Sequence, residues 1–255
     1  MITDPLFYAL AAPALLATGI SKGGFGSGVG ILAVPLMSLV VSPVVAAAVT
    51  LPILCFMDVF GLWHYRGRWD PVNLRIMVPG AVLGLGLGAA GFSALDRHWL
   101  GLIIGVIAVT FTLARWLSVG QGAAPARPSF VRGSFWATTS GFTSFVSHAG
   151  GPPINFYLLP QRMDKTLFVG TTVVFFAGIN YAKIVPYAWL GLFTPGNLWT
   201  ALALSPVAPI GMLLGIWLHD RIPPVPFYRI CYLFVFIAGL KLLYDHGGLI
   251  VGMLL

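Results

Sequence analysis

A chain of 255 residues that is 58% hydrophobic and 8% charged, with mean hydropathy +0.92, is not a water-soluble domain, in which about a quarter of residues carry charge. A net charge of +7 would point to nucleic acid in a soluble protein. Here the arginines sit in short connectors between apolar runs and read as topology signals, so no nucleic-acid partner is implied.

The first apolar segment covers residues 6–20 and contains Pro13. No basic residue precedes Lys22, so the segment reads as a first membrane segment rather than a cleaved leader. It runs into Gly19-Ile20-Ser21-Lys22-Gly23-Gly24-Phe25-Gly26-Ser27-Gly28-Val29-Gly30, followed by a second apolar piece over 31–41. Glycine weakens helix interiors, and bare backbone at membrane depth is tolerated only inside protein or beside a cavity. The economical reading is a glycine-broken hairpin of two part-helices, each short for a span. A membrane-depth lysine is by default a functional residue.

A span over 44–62 carries Asp58, the one acidic residue placed inside a span. After the connector at 63–71 comes a span over 76–92, where Gly80, Gly84 and Gly88 form a small-residue face for a closely packed neighbour. A third span covers 100–117. The Gly-, Ala- and Pro-containing stretch at 119–130 reads as a linker.

The second half repeats this plan. A segment over 130–146 meets Ser147-His148-Ala149-Gly150-Gly151-Pro152-Pro153 and returns over 154–159. Spans follow over 167–190, which carries Asn180 and Lys183, over 198–218, and over 230–244. Pro206, Gly211 and Gly215 answer Pro79, Gly84 and Gly88, and Asp58 falls opposite Asn180. The expected fold is therefore an all-α polytopic membrane protein of two repeats, at 1–118 and 131–255. Each is a glycine-broken hairpin plus three transmembrane helices. With that span count the connectors bearing Arg66, Arg68, Arg75, Arg115, Arg127, Arg132, Arg162, Lys165, Arg221 and Arg229 share one face. The positive-inside rule makes that face cytoplasmic and puts both termini outside. Each half crosses an odd number of times, so the repeats have inverted topology, as in many secondary transporters.

The polar residues at depth suggest an anion site. Lys22 and Lys183 supply positive charge, and Asn180 shares a helix face with Lys183. Ser21, Ser27, Ser144 and Ser147 offer hydroxyls, although serine in a helix often bonds its own backbone. Gly23 and Gly24, with Gly150 and Gly151 in the second half, offer backbone N–H groups at helix ends. His148 either donates to the anion or carries a proton, and Asp58 either balances a lysine or takes up a proton. No P-loop, HExxH or G-x-S-x-G motif is present, and the carboxylates are too few for a metal cluster. Neither an enzyme nor a cofactor or metal is expected.

The sequence resembles the sulfite exporter TauE/SafE family of anion permeases. The resemblance rests on the glycine-rich opening with Val34-Pro35, on Ala48-Val49-Thr50 and Val169-Gly170-Thr171, on Trp69-Asp70-Pro71, and on the two Pro…Gly…Gly helices. It covers nearly the whole chain. It implies transport of sulfite, organosulfonates or related sulfur anions in a bacterial-type plasma membrane. Lys22 interrupts the usual first glycine run, and His148 with Pro152-Pro153 alters the second. Export is the expected direction, since an inside-negative potential drives anions outward by about 2.3 kcal/mol per charge per 100 mV. The alternatives are a proton-coupled importer and a non-transporting membrane partner protein. The bilayer and a small anion are the expected partners, and a homodimer is admitted.

Overall fold

The computed structural model describes residues 1–26, 33–91 and 125–254, with side chains to 244, and scattered helical positions between 102 and 116. Ser27, residues 119–124 of the linker at 119–130 and half of the span over 100–117 fall outside the described residues.

The described chain is helical and contains no strand. In order it forms α1 (Pro5–Phe25), α2 (Ala33–Met37), α3 (Pro43–His64), α4 (Pro71–Ala90), α5 (Phe130–Ser147), α6 (Gly151–Leu158), α7 (Lys165–Trp189), α8 (Pro195–Leu204), α9 (Val207–Arg221) and α10 (Pro224–Leu254). A 3₁₀ turn, Leu159–Gln161, extends α6. Helices α1, α3, α4, α7 and α10 are each long and apolar enough to cross a bilayer, and α8 with α9 makes a sixth candidate bent by 42°. The chain is a polytopic helical membrane protein.

Local chemistry sets the helix starts. Asp4, Ser42, Asp70, Ser129, Asp164 and Thr194 each cap a helix with a side-chain oxygen. Pro5, Pro43, Pro71 and Pro195 occupy the first helical position after such a cap, where no N–H is needed. Pro79 leaves α4 continuous, whereas its counterpart Pro206 stands at the bend between α8 and α9.

The first hairpin differs from the sequence expectation. Instead of stopping near Ile20, α1 continues through Gly19, Ser21, Lys22, Gly23 and Gly24 for 21 residues. Its break comes only at Gly26, in the left-handed region at φ 74°. The reason is packing. A Cβ on Gly19 would lie 2.9 Å from the Gly211 Cα, and Cβ atoms on Gly23 and Gly24 would collide with the Met212 and Gly215 carbonyls. The glycines form the surface on which α1 and α9 touch backbone to backbone.

The same device appears a second time. Gly80, Gly84 and Gly88 of α4 lie against Ser134, Thr138 and Phe145 of α5, and Gly141 of α5 lies against Ala81. Helix α1 thus packs on the glycine-faced α9, and α5 on the glycine-faced α4.

One end of the bundle is tied by polar contacts at the C-terminal end of α1. His219 reaches the Gly24 carbonyl at 3.1 Å and the Thr166 hydroxyl at 3.1 Å. Lys165 donates to the carbonyls of His219 and Ile222. At the opposite end the Ile2 N–H donates to the Thr200 hydroxyl at 3.0 Å.

Candidate functional site

Helices α3 and α7 cross side by side and each brings buried polar groups to its inner face. Asp58, fully buried on α3, meets Lys22 of α1, with Nζ 2.7 Å from Oδ1. Its second oxygen accepts from the Asn180 amide of α7 at 2.8 Å. Lys22 also donates to the Leu54 carbonyl at 3.4 Å. A buried carboxylate held by an ammonium and an amide is a compensated charge.

A second cluster forms one turn further along α7. Lys183 donates to the Ser144 carbonyl at 3.0 Å and contacts the Ser144 hydroxyl at 3.1 Å and His148 Nδ1 at 2.7 Å. The other ring nitrogen, Nε2, lies 3.1 Å from the Ala47 carbonyl. A carbonyl can only accept, so Nε2 carries a hydrogen and donates to it. His148 caps α5 in the left-handed conformation, φ 55° and ψ 25°, the same role that Gly26 plays for α1. Histidine tolerates this region better than most side chains.

Between the two clusters lies a cavity of about 30 Å³ lined by Thr18, Lys22, Leu54, Ser144, His148, Gly151, Phe176 and Asn180. A space on this scale admits one or two water molecules. Leu54 and Phe176 lie near the midpoints of α3 and α7, so the cavity sits at mid-depth in the bundle. It is bordered by Thr18 and Lys22 in the last two turns of α1 and lies where α5 breaks from α6.

The donors turned to this space can be enumerated by chemistry. The Lys22 ammonium has three N–H groups, of which Asp58 and Leu54 take two. Asn180 gives one amide hydrogen to Asp58 and keeps the other. Ser144 accepts from Lys183 and retains its hydroxyl hydrogen. The Thr18 hydroxyl is committed to the Ala14 carbonyl at 2.8 Å. Helix α6 begins beside the cavity with an N-cap, Gly150, that has no side chain to donate. Pro152 and Pro153 carry no N–H, so Gly151 alone among its first three residues offers a backbone donor.

The sequence-derived candidates therefore separate. Lys22, Asn180, His148 and Gly151 line the cavity. Lys183 and Asp58 stand behind it, each bonded to a lining residue. Gly150 packs against Ser140, whose hydroxyl donates to its carbonyl at 2.7 Å. Gly23 and Gly24 face α9 instead, with their N–H groups inside α1. Ser21 is buried on α1 outside the lining, and Ser27 lies outside the described residues.

Ser144, one of the four candidate serines, lines the cavity, and so do Thr18, Leu54 and Phe176, which were not singled out as binding residues. A signal for Leu54, Ser144 and Phe176 exists in the numbering. Asp58 and Asn180 are separated by 122 residues. The same separation relates Lys22 to Ser144, Leu54 to Phe176, Gly26 to His148 and Gly19 to Gly141. It also relates two hydrogen bonds, Tyr65 OH to the Gly23 carbonyl at 2.6 Å and Tyr187 OH to the Phe145 carbonyl at 2.8 Å.

A comparison with protein families finds one described as "Sulfite exporter TauE/SafE", whose model matches residues 11–242. Neither the comparison with curated proteins nor that with solved structures gave a match.

Proposed function

We propose, for a chain that belongs to the sulfite exporter TauE/SafE family, a secondary transporter that moves a small sulfur-containing oxyanion, sulfite or an organosulfonate, outward across the plasma membrane. Membership makes it a membrane anion transporter of this family.

The observation that carries the reading is the mid-depth cavity. It is lined by a lysine, an amide, a hydroxyl and a backbone N–H, with no carboxylate among its lining residues. A space lined by an ammonium and further donors, with no carboxylate, favours an anion over a cation. Lys22, Asn180, Ser144 and Gly151 touch the anion. Lys183 and His148 hold Ser144 in place, and Asp58 holds Lys22 and Asn180.

The paired separations of 122 residues and the exchanged packing, α1 on α9 and α5 on α4, support two repeats, 1–118 and 131–255, joined by a linker at 119–130. Odd crossing numbers make the repeats inverted. Transport then rocks one set of packed helices against the other around a fixed site. The clustering of Lys165 and Arg221 near the C-terminal end of α1 supports a cytoplasmic placement of that end, with both termini outside.

Efflux from proteoliposomes loaded with sulfite tests the function. An imposed inside-negative potential accelerates efflux with no pH gradient present. Uptake that requires a pH gradient would instead establish a proton-coupled importer. Absence of binding by every sulfur oxyanion would favour a non-transporting partner protein.

A further inference from the structure

The charges around the cavity depend on whether the Lys183–His148 pair holds a proton. Lys22 and Asp58 form a closed ion pair at 2.7 Å, which is neutral as a unit. Lys183 and His148 form the other pair. Because the Ala47 carbonyl keeps a hydrogen on His148 Nε2, a proton lying between Lys183 Nζ and His148 Nδ1, 2.7 Å apart, leaves one positive charge on this pair. It does so whichever nitrogen holds it. Lys183 also sends N–H groups to the carbonyl and hydroxyl of Ser144, the arrangement of an ammonium.

The remaining titratable groups that face this assembly bring no compensating charge. Cys55 on α3 and Tyr181 on α7 are neutral side chains, joined by the Tyr181 hydroxyl to the Cys55 carbonyl at 3.2 Å. Tyr187 on α7 gives its hydroxyl to the Phe145 carbonyl. Among the described residues, α2, α6 and α8 carry no ionisable side chain at all except Tyr157 of α6. Tyr157 accepts from the Ser129 N–H at 3.3 Å, at the start of α5 and away from the cavity.

We infer that the Lys183–His148 pair holds one proton, Lys183 having three acceptors around its Nζ, and that the cavity therefore selects its substrate by charge, taking singly charged sulfur oxyanions, such as hydrogensulfite or an alkylsulfonate, and rejecting dianions of the same shape. This rests on the transport reading above and narrows its substrate class. A monoanion in the cavity neutralises the excess positive charge. A dianion leaves one negative charge uncompensated inside the bundle, where desolvation is costly. The few donors favour the same outcome, because a dianion stripped of water needs more hydrogen bonds than Lys22, Asn180, Ser144 and Gly151 provide.

The test uses the purified full chain in nanodiscs and two probes of similar size, methanesulfonate as a fixed monoanion and sulfate as a fixed dianion, with binding measured by calorimetry at pH 7.5. Methanesulfonate is expected to bind tighter by about 100-fold or more. Asp58→Asn keeps the side-chain shape and adds one positive charge to the assembly, so it narrows or reverses that ratio. Lys183→Met removes the excess charge and weakens methanesulfonate by about 100-fold, and it serves as the second arm where the Asp58 variant does not fold. Equal affinities for the two probes in the parent chain, or a ratio unmoved by both variants, would overturn charge selection while leaving the transport function standing. Failure of hydrogensulfite, methanesulfonate and sulfate alike to bind would overturn the transport reading itself.

Discussion

Asn180 donates a hydrogen bond to Asp58 across 2.8 Å, although 122 residues separate them. On the two-repeat proposal the pair stands where the halves meet, with the cavity beside it. Helix α3 supplies a carboxylate that needs a cation, and α7 supplies an amide that does not.

Removing the cation exposes this dependence. Lys22→Met leaves Asp58 buried and unpaired, at an expected cost of about 3–5 kcal/mol in stability. Adding Asp58→Asn recovers most of that loss, while the double variant still fails to bind anion because the lining ammonium is gone. Thermal denaturation in detergent alongside binding measurements separates the two effects. A Lys22→Met protein as stable as the parent would show that the ion pair contributes nothing.

The glycine faces make a positional prediction. Gly84→Ala and Gly215→Ala place a Cβ against the Thr138 and Ile20 carbonyls respectively, and are expected to destabilise by about 1–3 kcal/mol. Gly86→Ala and Gly178→Ala meet nothing within 4 Å, and should be neutral or stabilising by up to about 1 kcal/mol. Denaturation midpoints of the four variants decide the matter. If all four behave alike, the close helix contacts are not the reason for the glycines.

Tyr65→Phe and Tyr187→Phe each delete one buried hydroxyl from a carbonyl in the last turns of α1 and α5. Each is expected to cost about 1–2 kcal/mol. The two sites share no partner, so the double variant should lose the sum to within about 0.5 kcal/mol. Markedly unequal costs would mean that the two halves do not use these tyrosines in the same way.

At position 148 the backbone and the imidazole can be tested apart. His148→Gly removes both ring hydrogen bonds but suits the left-handed conformation, whereas His148→Ala removes the same bonds and adds about 1–2 kcal/mol of backbone strain. The alanine variant should therefore denature earlier than the glycine variant. The reverse order would show that φ at this position relaxes freely when the ring is gone.

Much of the architecture was legible in sequence because membrane spans are long and their caps are chemical. Pro71 after Asp70 and Pro195 after Thr194 announced helix starts, and the spacing of Gly80, Gly84 and Gly88 announced a packed face. The end of α1 was not legible. A run of glycines with a lysine reads as broken backbone when local propensity is the only guide, and it becomes helix because α9 brings Gly211 and Gly215 to meet it. That contact lies nearly two hundred residues away in the chain. Lys22, Asn180 and His148 were legible as buried polar groups in an apolar sequence. Leu54 and Phe176 were not, because an apolar lining residue looks like any other residue of a span.

The prolines at 152 and 153 have a consequence for turnover. A helix start with its full set of N–H groups would clasp an oxyanion tightly and release it slowly. On the proposed export reading, a helix α6 that lacks two of those donors holds its anion less tightly and empties faster, which suits clearing an anion that accumulates rather than scavenging traces.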